Sequence, residues 1–364
     1  MIDLRLAGIR VVSFCLVLCF VPASYSQQSA APAGGTASPM TAAAPVAAQT
    51  RISLDVLVTG KDGKPVGELE PSDFSLLDNN EARKIISFRR TDGIAGNRVD
   101  PPVEVIIVLD SVNMPYQAVT QLRLQLLRFL RQNGGKLAQP VSVFVSASDG
   151  LRVQPAPSKD GNALATMLDT STGTVRSRAT AAGDFGLAEQ FDSSLQTLKG
   201  IAENEARKPG RKVLIWLGNG WPLLDSPKFL KSTEGEQRYF KNIVEVSKAL
   251  RVARIAVYGI YTLNSASDLF LYEAYLKPVK DFHKADAANL SMQVLARQTG
   301  GRVLGPSNDI AGEIDNCMAD IGAYYTLQFA VPQAAGANEY HDLKLTVDQP
   351  GLTARTSTGY YNQP

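Results

Sequence analysis

The stretch Val103-Glu-Val-Ile-Ile-Val-Leu-Asp110-Ser-Val-Asn-Met114 decides the fold. Its first part is an almost unbroken apolar run, rich in β-branched residues, which predicts a strand buried on both faces. A small polar turn and a long amphipathic segment follow it. In an open parallel sheet, ligands bind at the carboxyl ends of the strands. Asp110 stands at such an end and is therefore the first candidate functional residue.

Strand and helix patterns alternate downstream of this stretch. Further buried strands are predicted at 140–146, 213–217 and 254–261. Apolar residues at helical spacing predict helices at 115–133, 162–168, 185–206, 236–250, 287–299 and 309–323. Such alternation predicts an α/β core with a Rossmann-like, doubly wound, mostly parallel sheet and right-handed crossovers. The basic residues near 207–212 are expected to cap a helix end and to solvate a loop.

The segments on either side of this core have a different pattern. From Arg51, apolar and polar residues alternate, and Asn79-Asn80 predicts a hairpin turn. Alternation returns in the tail, which predicts antiparallel strands there. The economical arrangement pairs the tail with the amino-terminal segment. The predicted domains are an amino-terminal β module (51–99), the α/β core (100–325) and a carboxyl-terminal β segment packed on the module (326–364).

The first residues have the features of an export signal. Arg5 and Arg10 flank an apolar stretch that is short for a membrane span, and small residues precede Gln27. We predict a signal peptide at 1–26, a disordered Ala/Pro-rich linker at 27–50, and a secreted or periplasmic protein with no membrane span after cleavage. A retained signal anchor is the alternative. Cleavage would leave Cys317 as the one cysteine, which its helical pattern predicts to be a buried structural thiol.

Charge and motifs exclude several functions. The chain has 37 basic and 35 acidic residues, which gives no electrostatic reason to expect nucleic acid as a partner. The sequence contains no nucleophile elbow, phosphate-binding loop or dinucleotide fingerprint. Its two histidines, His283 and His341, stand near no recognisable nucleophile motif. We therefore expect a protein that is not an enzyme.

Several segments together resemble a von Willebrand factor A-type domain. They are the strand ending in Asp110, "VLIWLGNG" at 213–220, "RIAVYGIY" at 254–261 and "LARQTGGR" at 295–302. The likeness spans roughly residues 100–325. The flanking sequence "GKPVGELEPSDFSLLDNNEARKIISF" and the tail "YYTLQFAV" look like secreted acidobacterial proteins related to this family. The resemblance implies the A-type α/β fold and a role in protein binding.

The resemblance also implies a divalent-ion site at the top of the sheet. Its motif is an Asp, Ser residues two and four positions later, and a Thr and an Asp from later loops. Asp110 matches, but Val112 and Met114 offer no oxygen and Asn219 replaces the late Asp. The loop that should supply the Thr contains Thr172, Thr174 and Thr180. We expect a degenerate site and no cofactor, with Asp110 the candidate ligand if Mg²⁺ or another divalent cation binds; alternatively, Asp110 and Asn219 hydrogen-bond the loops.

The loops at this end of the sheet are the candidate binding surface. Asn113, Asn219 and Trp221 are the candidate partner contacts, although Trp221 could instead pack beneath the insertion at 263–286. The leading prediction is an exported, non-enzymatic module for protein–protein interaction or adhesion, with a protein or cell-surface partner. A structural or assembly scaffold of the cell envelope is the alternative. A metal-dependent hydrolase is the third.

Overall fold

The computed structural model describes residues 50–92, 101–147, 150–153, 156–171, 184–221, 232–261 and 272–363. The predicted signal peptide and nearly all of the predicted linker lie outside these ranges. The three candidate threonines of the metal motif, Thr172, Thr174 and Thr180, also lie outside them. No helix among the described residues has the length and apolar character needed to cross a membrane.

The elements follow one another along the chain in this order. The strands are β1 (Arg51–Thr59), β2 (Phe74–Asp78), β3 (Glu81–Ala82), β4 (Ile85–Asp92), β5 (Glu104–Asp110), β6 (Lys136–Ala147), β7 (Gly150–Val153), β8 (Ser158–Asp160), β9 (Lys212–Leu217), β10 (Ile255–Ile260), β11 (Val303–Leu304), β12 (Ala323–Ala330), β13 (Glu339–Val347), β14 (Thr353–Arg355) and β15 (Gly359–Asn362). The α-helices are α1 (Tyr116–Arg131), α2 (Gly161–Ser171), α3 (Asp184–Glu205), α4 (Thr233–Ala253), α5 (Met292–Gln298) and α6 (Ile310–Ala319).

A mostly parallel sheet forms the centre of the described chain. Its strand order is β11-β10-β9-β5-β6-β7, and β8 also pairs with β6. The strand of the opening stretch, β5, lies between β9 and β6 and is parallel to both. Parallel pairing continues through β10 to β11, whereas β7 and β8 are antiparallel to β6. Every residue of β5 is buried, as a central strand covered on both faces requires.

Helices cover both faces of this sheet. Successive side chains of a strand point to opposite faces, so the apolar side chains of β5 pack against different helices on each face. Val105, Ile107 and Leu109 share one buried cluster with apolar residues of α1, α2 and α6. Ile106 and Val108 share a second cluster with residues of α3, α4 and α5. The predicted architecture of a mostly parallel sheet with flanking antiparallel sheets is confirmed.

Strands from both ends of the folded chain build the flanking sheets. One sheet has the order β14-β1-β12-β4 and the other β15-β13-β2-β3. The early strand β1 pairs with the late strands β12 and β14, and β2 pairs with β13. Inward side chains of both sheets, including Leu54, Tyr325 and Tyr360, form one buried cluster. The domain boundaries given above stay predictions.

The hairpin between β2 and β3 shows how local sequence sets a turn. Asn79 and Asn80 have φ angles of 51° and 66°, and Asp78 pairs with Glu81 on the opposite strand. Positive φ at both central residues is the type I′ geometry, which asparagine tolerates better than most residues. The predicted hairpin turn is confirmed.

The helix predicted for 287–299 is interrupted. A 3₁₀ turn, Ala287–Leu290, comes first, and α5 follows after a break at Ser291. The backbone of Ser291 is extended, with ψ at 155°, and its Oγ accepts a hydrogen bond from the Val294 N–H. Ser291 therefore acts as an N-cap, and caps have non-helical backbone angles. The apolar spacing alone did not reveal this break.

The last predicted helix, 309–323, is too long. It ends at Ala319, and Ala323 already pairs with Asp92 as the first residue of β12. Sheet pairing with a distant strand overrides the local helical pattern at this point. Cys317 is fully buried in α6, which confirms the predicted buried thiol.

The basic residues near 207–212 are placed only partly as predicted. Lys212 Nζ donates to the carbonyl oxygens of Glu205 (3.0 Å) and Lys208 (2.5 Å) at the end of α3, so the predicted helix cap is confirmed. The prediction of a solvated loop holds for Arg207, which is exposed, but is wrong for Arg211 and Lys212, which are both buried. They enter the central strand β9 directly, and the flanking sheets cover this end of the core.

Candidate functional site

Asp110 ends β5 and has no exposed surface. Its Oδ1 accepts hydrogen bonds from the backbone N–H groups of Val112 (3.0 Å) and Asn113 (3.1 Å). Its Oδ2 accepts from Asn113 Nδ2 (2.7 Å) and from the indole N–H of Trp216 (2.9 Å). Burial raises the pKa of Asp110 above its ordinary value, and the four hydrogen bonds oppose this rise. Its own chain therefore satisfies both oxygens of this carboxyl group.

Trp216 is the partner of Asp110 that sequence reasoning missed. It lies in β9, the strand next to β5, and pairs in register with Val108. In the sequence it looked like one more apolar residue of a buried strand. One signal was present, because a buried tryptophan usually needs an acceptor for its N–H. A carboxyl group at the end of the neighbouring strand supplies that acceptor.

The loops that follow β5 and β9 pack tightly against each other. Met114 is fully buried. Gly218 has a φ of 146°, and a Cβ at this position would lie 2.8 Å from Asp110 Cβ and 3.0 Å from Met114 Sδ. Glycine is required here for two reasons, since both the backbone angle and the space exclude a side chain.

Helix α3 and strand β6 hold the rest of the loop after β5. Asn113 Nδ2 also donates to Ser194 Oγ (2.9 Å), and Gln190 Nε2 donates to the Val112 carbonyl (3.4 Å). On the other side, Ser111 Oγ donates to the carbonyl of Ser146 (2.7 Å). The loop is thus anchored to two neighbouring elements, α3 and β6, through side-chain hydrogen bonds.

The groups around Asp110 do not fit a divalent-cation site. Mg²⁺ requires a near-octahedral set of hard oxygen ligands. Buried apolar side chains, Val112 and Met114, stand where two hydroxyls are needed, and the Ser111 hydroxyl is turned to a carbonyl. Across the described parts of the chain, no group of three His, Cys, Asp or Glu side chains could hold a metal ion. The chemistry indicates that Asp110 anchors its loop.

The prediction that Trp221 contacts a partner must be corrected. Only 4% of it is exposed. Its ring packs edge-on against Trp216 with the ring centroids 5.2 Å apart, and its indole N–H donates to the Leu290 carbonyl (2.7 Å). Apolar packing and a satisfied N–H make it a core residue. The other two predicted contacts, Asn113 and Asn219, are partly exposed.

Two large apolar residues are exposed at the same end of the sheet. Tyr116 begins α1 directly after the anchored loop and is 64% exposed. Leu187 lies near the start of α3, one turn before Gln190, and is 37% exposed. We call the surface formed by Asn113, Tyr116, Leu187 and Asn219 the rim surface.

The two histidines lie in different environments. His283 is largely exposed, and its Nδ1 is 3.3 Å from a carboxylate oxygen of Glu236. His341 is buried in the flanking sheets, with Nδ1 2.7 Å from Asp78 Oδ1 and its ring stacked on Tyr360. Neither histidine makes a hydrogen bond to a serine or cysteine within the described residues.

The chain is similar to several solved structures at low sequence identity. No protein-family model matches this chain, and no curated protein matches it. Among solved structures, the SpRpn10 VWA domain is 11% identical, with 61% of this chain and 97% of that domain covered, at a TM-score of 0.30. The pilus adhesin SpaC from Lactobacillus rhamnosus GG is 10% identical, with 81% and 48% covered, at a TM-score of 0.35.

The human COPII-coat protein Sec24c is a third similar structure. It is 10% identical, with 72% of this chain and 44% of Sec24c covered, at a TM-score of 0.32. This chain therefore spans less than half the length of Sec24c and of the pilus adhesin. At these TM-scores the similarity carries no argument about function, which must come from the site.

Proposed function

We propose that this protein is an exported, non-enzymatic interaction module with a von Willebrand factor A-like core, whose rim surface binds a protein or cell-surface partner without a metal ion. The proposal of export rests on the amino-terminal sequence. The proposal of binding rests on the anchored loop after β5, which positions exposed groups at the carboxyl end of the sheet.

The hydrogen bonds to Asp110 are the observation that carries this proposal. They fix the loop from Ser111 to Pro115 in one conformation before any partner arrives. A preorganised surface binds with a smaller loss of conformational entropy. The exposed aromatic ring of Tyr116 is the type of group that gives affinity at protein interfaces.

The arrangement of reactive side chains favours binding over catalysis. His341 is buried, and the flanking sheets surround it. Burial raises the pKa of the Cys317 thiol, which disfavours the reactive thiolate. Among the described residues, the groups at the end of β5 include no pair that resembles a nucleophile and its base.

A capture experiment from cell-envelope extract tests the proposal. The wild-type chain is compared with Tyr116→Ala/Asn219→Ala, and each is used with and without EDTA. The matched control is Val252→Ala, which changes an exposed apolar residue (51% exposed) on α4. We expect the partner to be retained by wild type and control in EDTA, and lost by the rim variant.

Two outcomes would contradict the proposal. Equal capture by the rim variant and the control would favour a scaffold role in the cell envelope. Loss of capture by the wild-type chain in EDTA would show that binding at this surface depends on a metal ion.

A further inference from the structure

A small cavity lies at the opposite end of the central sheet from the rim surface. It opens between the core and the flanking sheets, where β10 begins. Side chains from β1, α4, the end of α5 and the segment after β14 line it, together with Arg211 and Arg254. These segments are far apart in sequence, so folding alone brings their charged groups together.

The charge of this cavity is strongly unbalanced. Four arginines line it, Arg211, Arg251, Arg254 and Arg355, and Asp55 is the one acidic residue among the lining groups. Asp320, which lies outside the lining, is ion-paired with Arg355, so within the described residues Arg211 and Arg251 are the two lining arginines without an acidic partner. Asp55 is already bound to Arg254, whose Nε donates to Asp55 Oδ2 at 3.0 Å. It has little capacity left to neutralise the other arginines.

Arg251 has no counter-ion. It projects from α4 and is partly buried, yet it has no hydrogen-bond or ion-pair partner in the described structure. Burial lowers the pKa of its guanidinium below the ordinary value. Removing a charge from water without a partner costs free energy, and a bound anion would recover that cost.

Two neighbouring arginines have buried N–H groups without partners. Arg211 is only 3% exposed, and its Nε has no hydrogen-bond partner, although Nη1 donates to the Asp320 carbonyl (3.2 Å). Arg355 Nη2 donates to Asp320 Oδ2 (2.6 Å), but its Nη1 has no partner. Buried donors of this kind are usually satisfied by a protein group, a water or a ligand.

The volume of the cavity limits what can bind. It measures about 50 Å³. Since one water needs about 10–15 Å³ on this scale, the cavity holds roughly four water-sized groups. A tetrahedral oxyanion presents four oxygens and fits, whereas a nucleotide is far too large. Guanidinium groups bind such oxygens through charge-assisted, often paired hydrogen bonds.

We propose that this cavity is a binding site for one tetrahedral oxyanion, phosphate or sulfate, held by Arg251 and Arg211 between the core and the flanking sheets. The anion would offset the excess positive charge, and by accepting from the unpartnered Nη1 of Arg355 it would connect α4 to β14. Binding would therefore stabilise the contact between the two parts of the fold. This site is independent of the rim surface and of the function proposed for it.

Isothermal titration calorimetry of the full chain with sodium phosphate and with sodium sulfate tests the proposal, at ionic strength held constant with sodium chloride. We expect saturable binding of one anion per chain. Arg251→Gln should weaken it by about tenfold to 100-fold, as expected for the loss of a charge-assisted hydrogen bond. The matched control is Arg238→Gln, an exposed arginine on the same helix, which should bind as wild type does.

A second variant keeps the proposal testable if Arg251→Gln does not fold. Ser247→Asp places a carboxylate in the cavity lining one turn before Arg251, where it would act as an internal counter-ion. It should also weaken binding by at least about tenfold. Tighter binding of phosphate than of sulfate, or the reverse, shows which of the two anions the cavity prefers. No saturable heat with either anion, or unchanged affinity in the cavity variants, would overturn the proposal.

Discussion

Replacing Trp216 with phenylalanine removes one of the four hydrogen bonds to Asp110. That bond, 2.9 Å long, joins a neutral donor to a buried carboxyl group, and hydrogen bonds to charged groups contribute about 1.5–3 kcal/mol. The smaller ring also leaves a cavity of roughly 40 Å³, which costs about 1 kcal/mol at about 24 cal/mol per Å³. We expect the free energy of unfolding at neutral pH to fall by about 2.5–4 kcal/mol.

The same substitution should change how stability depends on pH. Burial raises the pKa of Asp110 from 3.8, and the Trp216 bond lowers it, so Trp216→Phe should raise it further. A carboxyl group with a raised folded pKa contributes stability that is present below its unfolded pKa and lost as pH rises through its folded pKa. As pH rises through this window, the variant should lose more of its free energy of unfolding than the wild type does. The deficit of the variant, meaning its loss of unfolding free energy relative to wild type, should therefore be close to the cavity cost of about 1 kcal/mol in acid. This deficit should grow toward neutral pH.

Urea unfolding followed by far-ultraviolet circular dichroism, repeated across this pH range, measures the effect. Trp221→Phe is the matched control, because it removes a similar ring whose N–H bonds a neutral carbonyl (2.7 Å). Its deficit should be smaller and independent of pH. Equal, pH-independent deficits in the two variants would refute a charged anchor at Asp110.

Three further predictions follow from the same structure. Gly218→Ala should lower the free energy of unfolding by about 1–3 kcal/mol, because it forces a strained backbone and a contact with Asp110; an unchanged thermal midpoint would contradict this. Truncation after Pro332 removes β13, β14 and β15, so residues 51–92 should become sensitive to protease, and unchanged protection in limited proteolysis would count against the observed pairing. Tyr116→Ala should leave the thermal midpoint unchanged, because the ring is 64% exposed, while abolishing partner capture; a large drop in the midpoint would assign Tyr116 to the core instead.

Strong periodic patterns predicted most of the fold. The apolar run of β5 and the similar run in β9 specified central strands, since a strand covered on both faces has few polar positions. The two asparagines between β2 and β3 specified a hairpin turn through their tolerance of positive φ. These features depend on residues that are neighbours in sequence.

The features that sequence reasoning missed depend on distant residues. Trp216 became a partner of Asp110 through the register of two strands, which neither residue specifies alone. Arg211 is buried because the flanking sheets cover the amino-terminal end of the sheet. For Trp221 the sequence left partner contact and packing beneath the insertion both open, and the 3₁₀ turn at Ala287–Leu290 supplies the acceptor for its N–H. Tertiary packing decides each of these positions.

The location of the proposed rim surface was predicted from the sequence more completely than its residues were. Asn113 and Asn219 do lie at the carboxyl end of the sheet, where parallel strands bring loops together. Tyr116 was not singled out, because a helix start after proline looks the same whether its side chain is covered or exposed. The departures from the metal motif at Val112 and Met114 were visible in the sequence, whereas the hydrogen bonds that Asp110 accepts were not.

The most direct test asks what Asp110 binds. Isothermal titration calorimetry of the full chain with Mg²⁺, Mn²⁺ and Ca²⁺ compares the wild type with Asp110→Ala. Because N–H donors occupy both carboxyl oxygens, we expect no saturable heat from the wild type, and Asp110→Ala should lower stability without changing the titrations. Saturable binding at millimolar concentration or below, abolished by Asp110→Ala, would contradict the role of Asp110 as an internal anchor.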